Sequence, residues 1–503
     1  MVFEHVDLKK EFMKKMFLLF LGIGMLIASC SKDDEPNEIV SVTLNSEVNE
    51  FIWKGMNYWY FWQADQPDLA DTRFKTTDDF NKYLNSYSSS EDLFNDLVFQ
   101  PDVVDDFSWY ISDVDEQLNS FRGITTSYGI GFPRNLIKPN PDSDDIVIFI
   151  AYVVPNSPAA NAGLKRGDII SKVDGVAMNT DNASIINKVF SEESISLGLA
   201  NIVNGQVEHI NGEFNMTSAT ITSNPIQHFE VIEEGGKKIG YLVYNGFRNT
   251  FNGELNDVFD FFKAQNINEL VLDLRYNGGG SVLTSALLAS MIKGSIPANS
   301  SAFARLQYNS KRDEERGTTF PFLNENYIYD KTTSDFTGNE ALSRLQSISR
   351  LYVLTAKGTA SASEMIINGL TPYMPVILVG ETTVGKNEGS ITVVDSPGNY
   401  TNLDNRNPKH TVGMQPIVFQ VYNSKDESDY TAGFAPDILV KESEFVADIK
   451  PFGDPNEALL RTALNDMLGL SAKKFSLNPD TNIQAIDKEV KLPKFSYEMY
   501  LDN

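Results

Sequence analysis

The sequence predicts a multidomain α+β protein: a small helical bundle at 46–118, a β-rich domain at 119–218 and an α/β core at 225–470 with a largely parallel sheet. Three observations carry this. Up to about residue 118, apolar residues recur at three- and four-residue spacings with acidic residues between them, as amphipathic helices require. Short β-type runs such as DIVIFIAYVV, 145–154, broken by Gly, Pro and Asn, follow to about 218. From 225 onward strand-like and helix-like segments alternate, and strands joined through helices imply βαβ units. With 503 residues, 42% of them apolar and 11% aromatic, the chain can fill the cores of about three domains, which argues against wholesale disorder.

Residues 1–45 read as processing and tether. Lys9, Lys10, Lys14 and Lys15 precede the apolar run 17–28, which has the length of a secretory h-region and falls short of the ~20 apolar residues a spanning helix needs. LIAS followed by Cys30 resembles a bacterial lipobox. That resemblance implies a lipoprotein signal peptide at 1–30, lipidation of Cys30, a linker at 31–45 carrying the acidic SKDDEPNE, and a cell-envelope location, lipid-anchored to the outer membrane on its periplasmic or surface side. Cys30 is the only cysteine, so disulfides within the chain, a cysteine nucleophile and zinc–thiolate sites are excluded from the mature domain. A net charge of −26 opposes binding to phosphate backbones, and no nucleic-acid partner is expected.

In the bundle, WKGMNYWYFW, 53–62, sets six aromatics in ten positions. Such a run can offer sugars a stacking platform; burial of the rings in a helix bundle is the plainer reading. Trp109, in DDFSWYISD, is expected on another helix of the bundle. The β-rich domain is organised by YGIGF, 128–132, and PNSPAANAGLKRGDIISKVDGVAM, 155–178. Ser157 and Pro158 start a short helix, Gly163 ends it, and Gly167 with Asp168 turns the chain into the strand IISKVDG. These two phrases resemble a PDZ domain. The resemblance implies that the loop Gly129, Ile130, Gly131 and Phe132 offers backbone N–H groups to a peptide's C-terminal carboxylate while the peptide adds a strand to the sheet.

In the core, KKIGYLVYNGF, 237–247, and ELVLDLRYNGG, 269–279, read as strands flanking a helix at 254–264. RLYVLTA, 350–356, and PVILVGE, 375–381, flank the helix that opens at GTASASE, 358–364. Beyond about 471 the chain is Lys- and Pro-containing without clear periodicity, and 471–503 reads as a loosely ordered tail.

A serine hydrolase needs a base within reach of its hydroxyl. Past the signal only His209, His228 and His410 remain, none beside a Gly-x-Ser-x-Gly elbow. Lysine serves if burial lowers its pKa, and Lys386 follows the largely uncharged ILVGETTVG, although Glu388, two residues on, would act the other way if paired with it. Ser361 and Ser363 sit at the first turn of a helix, where they either cap it or use its positive end to favour an alkoxide. DLRYNGGGS, 273–281, is a strand ending in a glycine turn whose backbone can approach a ligand closely.

In this order, DLRYNGGGS, GTASASE and GETTVGK closely resemble the C-terminal processing peptidases, or tail-specific proteases, relatives of the tricorn core; the likeness spans about 119–440 and includes YTAGFAPDI, 430–438. The resemblance implies a ClpP/crotonase-like core, a serine endopeptidase with Ser361 as nucleophile, and Lys386 as general base and later acid. Ala362 and, most directly, Gly279 then supply the oxyanion N–H groups, with Ser363 the second candidate nucleophile. Where many members carry glutamine four residues after the lysine this chain has Ser390, which leaves the orienting residue unassigned. Protein or peptide substrates are implied, with no metal and no organic cofactor. Two other readings stand beside this one: a non-catalytic peptide-binding surface lipoprotein of the same fold, and a glycan-binding lipoprotein using 53–62.

Overall fold

Six strands form the central sheet of the core, in the order Ile226–Glu234, Lys237–Tyr244, Glu269–Asp273, Leu351–Thr355, Val376–Gly380 and Ile438–Leu439. The first two make an antiparallel hairpin, and every further pairing is parallel. The structure, a computed structural model, describes residues 41–299, 301–470, 483–492 and 496–502. The apolar run 17–28, Cys30 and the tether at 31–38 lie outside the described residues. No described helix is long and apolar enough to cross a membrane.

The middle strands are covered on both faces, which explains their near-continuous apolar runs. Leu270, Leu272, Leu351 and Val353 point to one side, against helices Asn252–Ala264, Val282–Ile292 and Ala362–Leu370. Val271, Tyr352 and Leu354 point to the other, against helix Ala458–Met467. A second, mixed sheet runs Gly279–Ser281, Glu498–Tyr500, Glu388–Ser390, Ile417–Tyr422, Ala302–Tyr308, Thr318–Pro321. The α+β class and the largely parallel central sheet match the expectation from sequence.

Helices Glu47–Trp59, Thr77–Leu84 and Ser90–Leu97 open the folded unit, which begins at Leu44. Each starts at a Ser or Thr, Ser46, Thr76 or Ser89, whose side chain accepts a backbone N–H three residues on. These helices have no separate core: Phe51, Ile52, Met56 and Trp59 pack in the same cluster as the α/β core. The aromatic run is spent on packing, with Trp59 and Tyr60 buried, Trp59 Nε1 donating to Asn399 O at 2.6 Å and Tyr60 Oη to Asp105 Oδ2 at 2.7 Å. Trp109 departs from the expected helix. Trp109–Ile111 is a strand antiparallel to Gly413–Gln415, because Trp109 and Ile111 are buried on one side and Tyr110 less so, a period of two.

The β-rich domain has its own core of Tyr128, Phe132, Leu136, Ile148, Ile170, Ile186 and Leu197. Its short helix Pro158–Asn161 starts where expected, with Ser157 Oγ accepting the Ala160 N–H. The reading of 471–503 as a loosely ordered tail is corrected for its described part. Gln484–Glu489 pairs with Asn135–Lys138, and Glu498–Tyr500 enters the second sheet. Such short segments owe their order to the edges they join, so no periodicity of their own announces them.

Candidate active site

Strand Leu351–Thr355 leads through the turn at 356–360 into helix Ala362–Leu370, and Ser361 is the residue at the junction. Its φ of 63° and ψ of −116° are strained for a residue with a side chain, as happens where surrounding structure over-determines a functional position. Ser361 is fully buried and its Oγ has no hydrogen-bond partner. Ser361 and Glu364 are arranged as a capping box at the helix start, with the Ser361 N–H donating to Glu364, but no bond of normal geometry occupies the Ser361 hydroxyl. Ser363 differs: its Oγ donates to Asn277 O at 3.0 Å, a structural bond that ties the helix to the glycine turn.

Glu364, the last residue of GTASASE, is the hub of the site. Oε2 accepts the backbone N–H of Ser361 at 2.8 Å and of Lys386 at 2.9 Å; Oε1 accepts the Gly385 N–H and the Thr383 hydroxyl, each at 2.6 Å. One buried carboxylate thus holds both backbones on the same oxygen atom. Burial raises its pKa to about 7 while the four donors pull it down. The signal for this role was in the sequence, as Glu three residues after Ser361, but its second set of partners lies across the fold.

Lys386 is fully buried. Its Nζ donates to Tyr497 O at 2.8 Å and stands 4.7 Å from the centre of the Phe107 ring. Desolvation lowers its pKa to about 8, against the pull of Glu388, Glu498, Asp105 and Glu364. Glu388 is itself pushed up to about 7 by burial, so the carboxylate that threatened to hold Lys386 charged is weakened as an anion. Ser390 is reached by Gln415, whose Nε2 donates to Ser390 Oγ at 3.0 Å. This glutamine comes from strand Gly413–Gln415, and its Oε1 accepts the Thr392 hydroxyl at 2.9 Å, so its bonds go to Ser390 and Thr392.

The glycine turn completes the cluster. At Gly279, φ is 116°, and a Cβ there would stand 2.8 Å from Ser361 Cβ, 3.0 Å from Ala362 N and 2.0 Å from Glu498 O. Only glycine allows this approach. The Gly279 N–H, expected to serve an oxyanion, here donates to Asn277 Oδ1 at 2.8 Å, and Asn277 Nδ2 donates to Tyr244 O at 2.8 Å. Gly129, Ile130, Gly131 and Phe132 face Gly278, Gly279 and Gly280 across a cavity of about 310 Å³. The loop and the turn therefore border one space. The histidines are engaged elsewhere: His209 with Ser171 and His410 with Asp395, while His228 stands beside Glu230.

Beneath the turn, DLR becomes a buried charge cluster. Arg275 pairs with Asp273 at 2.8 Å, Glu442 at 2.9 Å and Glu457 at 2.7 Å, and Arg166 of the β-rich domain reaches the same Glu442 at 2.6 Å. Each carboxylate and guanidinium is satisfied several times, as burial demands.

Three family models match the chain: peptidase family S41 over 238–440, the peptidase S41 N-terminal domain over 47–109 and the PDZ domain over 149–187. A Staphylococcus aureus (strain MRSA252) protein described as a CtpA-like serine protease is 24% identical over 422 residues, covering 82% of this chain and 73% of its own. A carboxyl-terminal-processing protease of Picosynechococcus sp. is 25% identical over 347 residues, covering 65% and 74%. A crystal structure of a Bacteroides fragilis NCTC 9343 protein assigned to the S41 proteases matches with a TM-score of 0.62 and 30% identity, covering 83% of this chain and 97% of that one. With that identity over nearly the whole of a solved relative, and with three domain matches in chain order, the chain belongs to peptidase family S41 and is a serine peptidase.

Proposed function

We propose that the protein is a carboxyl-terminal processing endopeptidase that works through a Ser361–Lys386 dyad. Neutral Lys386 Nζ takes the Ser361 proton as Oγ attacks the peptide carbonyl, and later protonates the leaving amine. The N–H groups of Ala362 and Gly279 receive the developing oxyanion once Gly279 turns from Asn277. Loop residues Gly129, Ile130, Gly131 and Phe132 take the substrate's C-terminal end by strand addition. A lipid on Cys30 holds the enzyme in the cell envelope.

The observation that carries the reading is the Glu364 carboxylate, which gathers the backbones of Ser361 and Lys386 around an unbonded, buried hydroxyl. Turnover needs the Lys386 amine to accept the proton of that hydroxyl, which its lone pair can do while an N–H stays on Tyr497 O. Casein digestion tests the dyad. Ser361→Ala and Lys386→Arg are both expected to abolish release of new peptides, since guanidinium keeps its proton, whereas His410→Ala is expected to digest normally. Full activity in either of the first two variants removes the dyad.

A further inference from the structure

Residues 483–492 and 496–502 lie along both parts of the machinery. Strand Gln484–Glu489 adds antiparallel to Asn135–Lys138, the strand after the 129–132 loop, with Gln484 opposite Lys138 and Glu489 opposite Asn135. Val490 continues the addition. Its N–H donates to Arg134 O at 2.9 Å, and its side chain is 3% exposed in the cluster of Phe132, Leu136, Ile186 and Val189. This is strand addition at the edge offered to a peptide. Farther along, Glu498–Tyr500 runs parallel to Gly279–Ser281, the Glu498 N–H donates to Gly278 O at 3.0 Å, and Tyr497 O accepts Lys386 Nζ. Arg134 clamps both portions, with Nε on Glu489 Oε2 and Nη1 on Tyr497 Oη, each at 2.6 Å.

Two cavities flank this segment. One, of about 310 Å³, is bounded by the 129–132 loop and the glycine turn; the other, of about 740 Å³, by Phe107, Val384 and Glu388. Arg134, Leu492 and Tyr497 stand in the walls of both. Leu492 and Tyr497 of the segment are thus shared walls of the space at the PDZ loop and the space beside Gly385, Asn387 and Glu388, the neighbours of Lys386.

We propose that residues 483–492 and 496–502 are a cis ligand of the peptidase, seated in its PDZ groove and catalytic cleft until an extended polypeptide displaces them. The catalytic half of this proposal rests on the Ser361–Lys386 reading. While seated, the segment engages the base through the Tyr497 carbonyl and runs beside the glycine turn. A tethered ligand acts at an effective concentration of about millimolar, so it competes strongly without being tight.

Val490→Asp places a charge in the apolar groove and leaves Ser361, Lys386 and Gly279 in place. Glu489→Lys, which sets a like charge against Arg134, serves as the second variant should the first fail to fold. The first arm uses full chains carrying Ser361→Ala and a fluorescein-labelled peptide of residues 483–492 read by anisotropy. The expected result is binding at least about tenfold tighter to the Val490→Asp chain than to its parent, because the groove is vacated; equal affinity overturns the proposal. The second arm keeps Ser361 and measures casein turnover, where Val490→Asp is expected to raise kcat/KM at least about tenfold, the same release of a tethered competitor. Unchanged turnover in an active enzyme overturns the displacement. No turnover by either chain, with the first arm positive, supports the cis ligand and sinks the catalytic reading instead.

Discussion

At the scale of single residues, the proposed dyad makes chemistry at neutral pH turn on Lys386, whose pKa burial brings down to about 8. Activity needs the neutral amine, so kcat/KM on an unstructured protein is expected to climb about tenfold per pH unit below that point and to level off above it. A profile flat between about pH 6 and 9 contradicts an amine base. The same shift has a stability side. The folded chain gives up this proton at about 8, before the unfolded chain does at ~10.4, so over that window the unfolded state binds more protons and stability rises with pH. Ser361 and Lys386 were legible in the sequence because their neighbours, GTASASE and GETTVGK, are short and local. The role of Glu364 was not legible, since three of its four bonds go to Thr383, Gly385 and Lys386, beyond its own helix.

At the scale of elements, the site is a strand-to-helix junction pressed against a glycine strand. Gly279→Ala tests that contact. A methyl group would collide with Glu498 O and Ser361 Cβ on a backbone at φ 116°, and the expected outcome is a kcat lower by about a hundredfold, as misplacing a reacting group by ~1 Å brings, with the fold retained by circular dichroism. Near-normal kcat would mean the turn lies outside the chemistry. The strands of the parallel sheet could be read from their apolar runs, because burial on both faces leaves an unmistakable composition. Trp109–Ile111, Gln484–Glu489 and Glu498–Tyr500 could not. Each is a short strand whose partner lies far away in sequence, so pairing and not local pattern defines it.

At the scale of the whole molecule, the family-specific regions are fused and not strung out. The N-terminal helices share their apolar core with the peptidase, and the PDZ domain is joined to it through Arg166, Glu442 and Arg275. Removing one member of such a buried charge group costs about 3–5 kcal/mol, because the charge left behind is buried without a partner. We propose that a lipid on Cys30 attaches the chain to the envelope. Cells fed an alkyne fatty acid are expected to label the native chain and to leave Cys30→Ala unlabelled and in the soluble fraction. A Cys30→Ala chain that still sediments with membranes would discard the anchor. The placement of the aromatics has one more consequence. All four tryptophans belong to the segment 53–109, none to the PDZ domain, and Trp62 and Trp109 border the same 740 Å³ space as Tyr497. The enzyme thus carries its own fluorophores at the cleft, and its emission spectrum reports what enters there while staying blind to events confined to the PDZ side.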